Sequence, residues 1–294
     1  MFAAGGEVLG SSKQGRPRTA GSGVWLAGVF LLSGLGCEPG ENLEGVEWGQ
    51  GEYSLVQQAT FNRAFEIVRG INYLPFAYKA DGCYVRALYM SMELAAQQIE
   101  SNSLFAFAKD GYPLYVEDLS WQYHVAPMLV VAGEPLRWMI IDPALTSVPV
   151  TDLDWLRIMG RDKPEYAHAV RESQADVSPD MVFVPGSRYS VAGAGEEQQY
   201  VNKDLPDFRS LPPFEAADIA HACTVGMVYL TYEARNGAST ASEVGRKQAL
   251  LIRRTAELVR RLASAGKLSR ELARSYSSGY GFEVHPSCQN AVSP

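Results

Sequence analysis

Pro75-Phe76-Ala77-Tyr78-Lys79-Ala80-Asp81-Gly82-Cys83-Tyr84-Val85-Arg86-Ala87 places a cysteine at what reads as the start of a helix. Asp81 is a residue type that caps helix N-termini, and Leu88, Met92, Ala95 and Ile99 follow at intervals of four, three and four residues. The pattern predicts an amphipathic helix with Cys83 in its first turn. A sulfur there faces the positive end of the helix dipole, which favours the nucleophilic thiolate. The unpaired backbone N–H groups of that turn can serve as part of an oxyanion hole. Taken alone, the same cysteine also reads as a small buried hydrophobe on a helix.

A second stretch gives the cysteine company. Trp121-Gln122-Tyr123-His124-Val125-Ala126-Pro127-Met128-Leu129-Val130-Val131 reads as a strand, and Leu136 to Asp142 as another, with Ala132-Gly133-Glu134-Pro135 as the turn. A hairpin centred on Gly133 would set His124 directly opposite Asp142, on one face, with Cβ atoms roughly 4.5 to 5.5 Å apart. Asp142 could then hold the His124 ring in one tautomer while its other nitrogen faces the thiol. That is the division of labour of a Cys-His-Asp triad. Trp121 either flanks such a site or belongs to the strand's core face.

Asp81-Gly82-Cys83-Tyr84-Val85-Arg86-Ala87, Trp121-Gln122-Tyr123-His124-Val125-Ala126 and Ile140-Ile141-Asp142-Pro143-Ala144-Leu145 resemble, in order and spacing, three motifs of the bacterial protein-glutaminases. Pro149-Val150-Thr151-Asp152 followed by Trp155 resembles the family's next stretch, so the likeness runs over about residues 60–156. The resemblance implies an α+β, papain- and transglutaminase-like core. In it the nucleophile Cys83 begins a helix, while His124 and Asp142 lie on an antiparallel sheet. It also implies hydrolysis of glutamine side-chain amides in peptides or proteins, with His124 as base and then acid, Asp142 as the orienting carboxylate, and no cofactor. Transglutamination and peptide cleavage use the same triad, and a non-catalytic binding module can keep the fold. Beyond residue 160 the likeness ends.

Outward from this core, the N-terminus changes character. Lys13, Arg16 and Arg18 precede the apolar run Val24 to Leu32, and Gly36-Cys37 follows. This is the order of a secretory signal peptide, with an apolar stretch too short for a comfortable membrane span. Gly36-Cys37 resembles a bacterial lipobox, with Gly34 where such motifs prefer Leu. Lipid on Cys37 would be the chain's one membrane attachment. Cleavage before Cys37 would remove one acidic and three basic residues, moving the formal charge from −7 to −9. Export also places the chain where disulfides persist. Cys223 and Cys288 remain as candidates to pair, although Cys223 in its apolar stretch reads equally as a buried hydrophobe.

The expected order is a signal peptide over 1–37, a tether over 38–54 and a catalytic domain over 55–160. A loop-rich segment follows over 161–212, where Met181-Val182-Phe183-Val184 makes a short strand, and then a helical region over 213–294. Its helices run from Phe214 to Arg235, from Ser242 to Ala265 with Gly266 as stop, and over Ser269 to Ser277. They either complete the core or form a partner surface. With 47% hydrophobic and 20% charged residues the composition is that of a folded protein, and the acidic balance argues against a nucleic-acid partner. His168, His221 and His285 are scattered, with neither an HExxH nor a paired CxxC, so no zinc site is expected. Ala192-Gly193-Ala194-Gly195 lacks a strand leading into it and reads as a surface loop. Arg246, Lys247, Arg253, Arg254, Arg260 and Arg261 read as a solvated helix face.

Overall fold

The computed structural model describes residues 55–108, 113–160, 180–187, 213–269 and 283–293. The expected signal peptide with Cys37, the tether, His168, the Ala192–Gly195 run and the helix expected after Ser269 lie outside these residues.

Helix α1 (Gln58–Arg69) and helix α2 (Cys83–Ala95) come first. The strands β1 (Asn102–Phe107), β2 (Leu114–Val116), β3 (Leu119–Trp121), β4 (Tyr123–Val131), β5 (Arg137–Ile140) and β6 (Val150–Thr151) follow, then helix α3 (Asp152–Ile158). Strand β7 (Asp180–Pro185) includes the apolar run expected to be extended. A short strand β8 (Phe214–Glu215) leads into α4 (Ala216–Arg235) and α5 (Ala241–Ser264), followed by strand β9 (Leu268–Ser269) and α6 (Pro286–Val292). The fold is α+β. The main sheet has the order β6-β5-β4-β1-β7 with every neighbouring pair antiparallel.

The sheet separates two apolar cores. Val125, Leu129 and Val131 on one face of β4 pack into the larger core with α2, whereas Ala126, Met128 and Val130 on the other face pack with Trp121, Trp155 and Leu156. This is the two-residue alternation of a strand buried on both faces. His124 shares the parity of the second set, so its ring lies on the side of the two tryptophans.

Helix α2 departs from the expected amphipathic helix, because all thirteen of its residues are buried. The sheet covers one side, and the C-terminal helices cover the other, with Ile219, Val225, Leu251 and Leu258 in the same core as Val85, Leu88 and Met92. A Cβ on Gly226 of α4 would come within 3.0 Å of Leu251 and 3.5 Å of Val85, so the three helices meet closely at that glycine. The polar residues of α2 are buried because distant groups satisfy them. Glu93 accepts from Tyr73 Oη at 2.7 Å and from Arg254 Nε at 2.6 Å, and Arg254 also reaches Glu257 at 2.7 Å. Arg254 therefore does not belong to a solvated face.

The helix start differs too. The N-cap is Gly82, in the left-handed region at φ 79°, and the Asp81 side chain caps no helical N–H. Asp81 Oδ1 instead accepts from Gly82 N at 2.6 Å. Cys223 of α4 and Cys288 of α6 form a disulfide. In α5, Thr240 and Glu243 make a reciprocal capping box, and Gly266 follows the helix end at φ 68°.

The Glu93–Arg254 pair gives a direct test of how α5 is fastened to α2. Replacing Arg254 leaves a buried carboxylate without its cation, so Arg254→Ala is expected to lower the unfolding free energy by about 3 kcal/mol at neutral pH. Glu93→Gln added to that variant should recover part of the loss, read by denaturant unfolding.

Candidate active site

Cys83, His124 and Asp142 come together where α2 and β4 both begin. Cys83 is 6% exposed, His124 2% and Asp142 4%. His124 Nε2 donates to Asp142 Oδ2 at 2.8 Å. With Nε2 taken by Asp142, Nδ1 is the ring nitrogen left for Cys83, whose sulfur is near enough to favour the charged imidazole.

The expected hairpin register is off by two residues. Met128 pairs with Ile140 and Val131 with Arg137, so the turn centres on Glu134 rather than Gly133. Strand β5 ends at Ile140, whose neighbour Ile141 still donates to Pro127 O at 3.0 Å, and Asp142 lies just past the strand. His124 and Asp142 are thus diagonal instead of directly opposite. A shift of two keeps side chains on their original faces, and a diagonal neighbour remains within reach of an imidazole.

Asp142 is held from three directions. Trp155 Nε1 donates to Oδ2 at 2.9 Å, Ala144 N donates to Oδ1 at 3.2 Å, and the backbone beyond it turns back, with Leu145 N and Thr146 N donating to Asp142 O. Thr151 caps α3 by accepting from Asp154 N, which sets the helix that carries Trp155. The Trp121 ring stacks on His124 at 4.9 Å between centroids with 16° between planes, and Trp155 lies tilted at 5.4 Å. Trp121 therefore both flanks the site and belongs to the core. Trp155 and Arg86 are site residues whose roles the sequence reading did not assign. Arg86 lies in the 81–87 stretch and Trp155 just after 149–152, but nothing local signals that Trp155 donates to Asp142 or that the Arg86 charge acts on it.

The charges follow from this packing. Burial disfavours a charged His124, but the neighbouring Asp142 carboxylate and hydrogen bonds to Asp142 and Cys83 prevail and push its pKa up to about 9. Burial likewise opposes a charged Asp142. The His124 charge and hydrogen bond, the Trp155 indole N–H and the Arg86 guanidinium outweigh it and hold the carboxyl below its ordinary range. Arg86 is itself buried and donates from Nη1 to the carbonyls of Tyr78 at 2.8 Å, Asp81 at 3.0 Å and Pro75 at 3.3 Å. It thus folds the 75–82 loop over the start of α2.

A pocket of about 220 Å³ opens onto the site, lined by Lys79, Asp81, Cys83, Trp121, Gln122 and His124 among others. His221 is buried on α4 and His285 caps α6 by accepting from Ser287 N, so neither approaches the pocket. A larger groove lies elsewhere, between the end of α2 and the end of α5, and holds none of these residues.

Residues 51–159 match the model of a family described as glutaminase, and Cys83, Trp121, His124, Asp142 and Trp155 all fall inside the match. This segment belongs to the glutaminase family. Three solved structures are similar to the chain as well. The NMR structure of protein-glutaminase from Chryseobacterium proteolyticum has 22% identity and a TM-score of 0.39, with 60% of this chain and 89% of that one covered. A crystal structure of protein-glutaminase has 22% identity and a TM-score of 0.41, covering 60% and 90%, and one of pro-protein-glutaminase has 22% and 0.40, covering 60% and 59%. No curated protein is a significant match to the chain. Among the described residues no helix is long and apolar enough to cross a membrane.

Because the folded state raises the His124 pKa from 6.5 to about 9, its ion pair with Asp142 stabilises the fold fully below pH 6.5 and is lost as pH rises through 9. The melting temperature should fall over that interval. A His124→Ala variant, less stable at pH 6.5, should show a shallower fall in the same scan.

Proposed function

We propose that the protein hydrolyses the side-chain amide of glutamine in protein or peptide substrates, with Cys83 as nucleophile, His124 as proton carrier and Asp142 as the carboxylate that orients His124. The observation that carries this reading is the buried His124–Asp142 pair beside Cys83, at the floor of a pocket in a glutaminase-family segment.

The steps follow from the arrangement. His124, kept charged by its raised pKa, holds the proton given up by the thiol, and the sulfur attacks the amide carbon to give a tetrahedral oxyanion. Backbone N–H groups at the start of α2 are the nearest structural source of donors for that oxygen. Charged His124 then gives its proton to the amide nitrogen, the C–N bond breaks, ammonia leaves and a thioester remains on Cys83. Water attacks the thioester with His124 again as base, releasing a glutamate side chain and the thiol. Asp142 keeps Nε2 occupied throughout, so Nδ1 is the nitrogen that exchanges protons with sulfur and substrate. These steps call on no metal or organic cofactor. A volume of about 220 Å³ is below the roughly 300–1,000 Å³ of sites that engulf a whole small molecule. It suits one side chain, with the rest of the substrate outside.

We read the chain as exported, with residues 1–36 as leader and Cys37 as the lipid-bearing N-terminus. The charge and apolar order of the leader supports this, as does the Cys223–Cys288 disulfide, a bond that persists in oxidising compartments.

Incubation with a glutamine-containing protein should release ammonia and give the mass change of amide to acid, with the backbone uncut. Cys83→Ala should abolish turnover and His124→Ala should nearly do so. Asp142→Asn should remain folded and lose on the order of 10² to 10⁴ in rate. Incorporation of an added primary amine as the main product would replace the reading with transglutamination, and backbone fragments would replace it with proteolysis.

A further inference from the structure

The loop that delivers Cys83 is held from outside the family-matched segment. Tyr229, on α4, donates its hydroxyl to Asp81 Oδ2 at 2.6 Å, while the other oxygen of that carboxylate accepts from Gly82 N. The Tyr229 ring lies against Gly82 so closely that a Cβ there would be 2.4 Å from it, and Gly82 already has φ +79°. The ring also stacks on Tyr78 at 5.1 Å with 26° between planes. One turn further along α4, Glu233 accepts from Ala77 N at 2.9 Å and is itself anchored by Lys247 at 2.7 Å.

These contacts converge on the residues that set the direction of α2. Gly82 O accepts the first helical hydrogen bond, from Arg86 N at 3.1 Å, so the dihedral angles of Asp81 and Gly82 fix where Cys83 projects. We propose that Tyr229 is a positioning residue for Cys83: its hydroxyl, through Asp81, and its ring, through Gly82, lock the left-handed turn from which the sulfur is presented to His124. The proposal rests on the reading of Cys83 as nucleophile. Burial, and then the Asp81 carboxylate and Tyr84, push the Tyr229 phenol upward, so it stays a donor wherever the protein is folded.

Two conservative variants separate positioning from packing. Tyr229→Phe keeps the ring on Gly82 and Tyr78 but removes the donor to Asp81. Tyr232→Phe is the control, since Tyr232 packs on the same aromatic cluster through its ring. Full-length protein is assayed for ammonia release from a glutamine-containing peptide, and for carbamidomethylation of Cys83 by iodoacetamide, followed on the Cys83 peptide by mass spectrometry. Tyr229→Phe should lower kcat by on the order of ten- to a hundredfold with KM barely changed, as expected for a misaimed reacting atom. It should slow Cys83 alkylation too, whereas Tyr232→Phe should match wild type in both. Asp81→Asn should reproduce the Tyr229→Phe defect, and the double variant should lose no more than either single. Wild-type kcat and alkylation in Tyr229→Phe would overturn the proposal, as would an equal loss in Tyr232→Phe. Because alkylation needs no amide substrate, a wild-type protein that alkylates but releases no ammonia would sink the deamidase reading alone, and the alkylation rates would still decide the role of Tyr229.

Discussion

The hydrogen bond between His124 and Asp142 is the constraint around which the rest of the site is arranged. Two ionisable groups with 2% and 4% exposure cannot be kept from water cheaply unless each answers the other, and removing either one leaves a buried charge. Trp155 and Ala144 also donate to the carboxylate, Trp121 and Trp155 flank the imidazole, and the buried Arg86 adds a positive charge nearby. Those partners come from β3, α3, α2 and the turn after β5, so sheet, turn and helices all serve one pair of side chains.

Cys83, the nucleophile of the proposed reaction, reaches that pair on a helix whose every residue is buried. Helix α2 is covered by the sheet on one side and by α4 and α5 on the other, and its polar residues are tied to both coverings. A reacting group mounted on such an element has little freedom to drift, which is what a short nucleophile-to-base distance demands. The C-terminal helices are therefore part of what holds the site, and the Cys223–Cys288 disulfide joins two of them.

The sequence was most legible where a signal is local. Cys83 at a helix start, β4 as a long apolar strand, the pairing faces of His124 and Asp142, and the limits of α4 and α5 to within two residues were all readable from periodicity and turn chemistry. The hairpin register was misjudged because Gly133 looks like the turn centre, whereas the loop centres on Glu134. The error did little harm because a shift of two preserves the face. Helix α2 looked amphipathic because Leu88, Met92, Ala95 and Ile99 recur at helical spacing with polar residues such as Ser91 and Glu93 between them. Glu93 finds its partner in Arg254, 161 residues away, through a contact that no local window contains. The same reason hid Asp81, which has the composition of a helix cap yet is claimed by Gly82 N and by Tyr229 far along the chain.

The proposed reaction passes through a covalent intermediate at the Cys83 sulfur, and rapid acid quenching can capture it. Protein mixed with a glutamine-containing peptide, stopped within the first turnovers and digested under acid, should yield the Cys83 peptide carrying the substrate minus ammonia, as a thioester labile to hydroxylamine. Ammonia released with no such adduct on Cys83, or with an adduct on another residue, would contradict it.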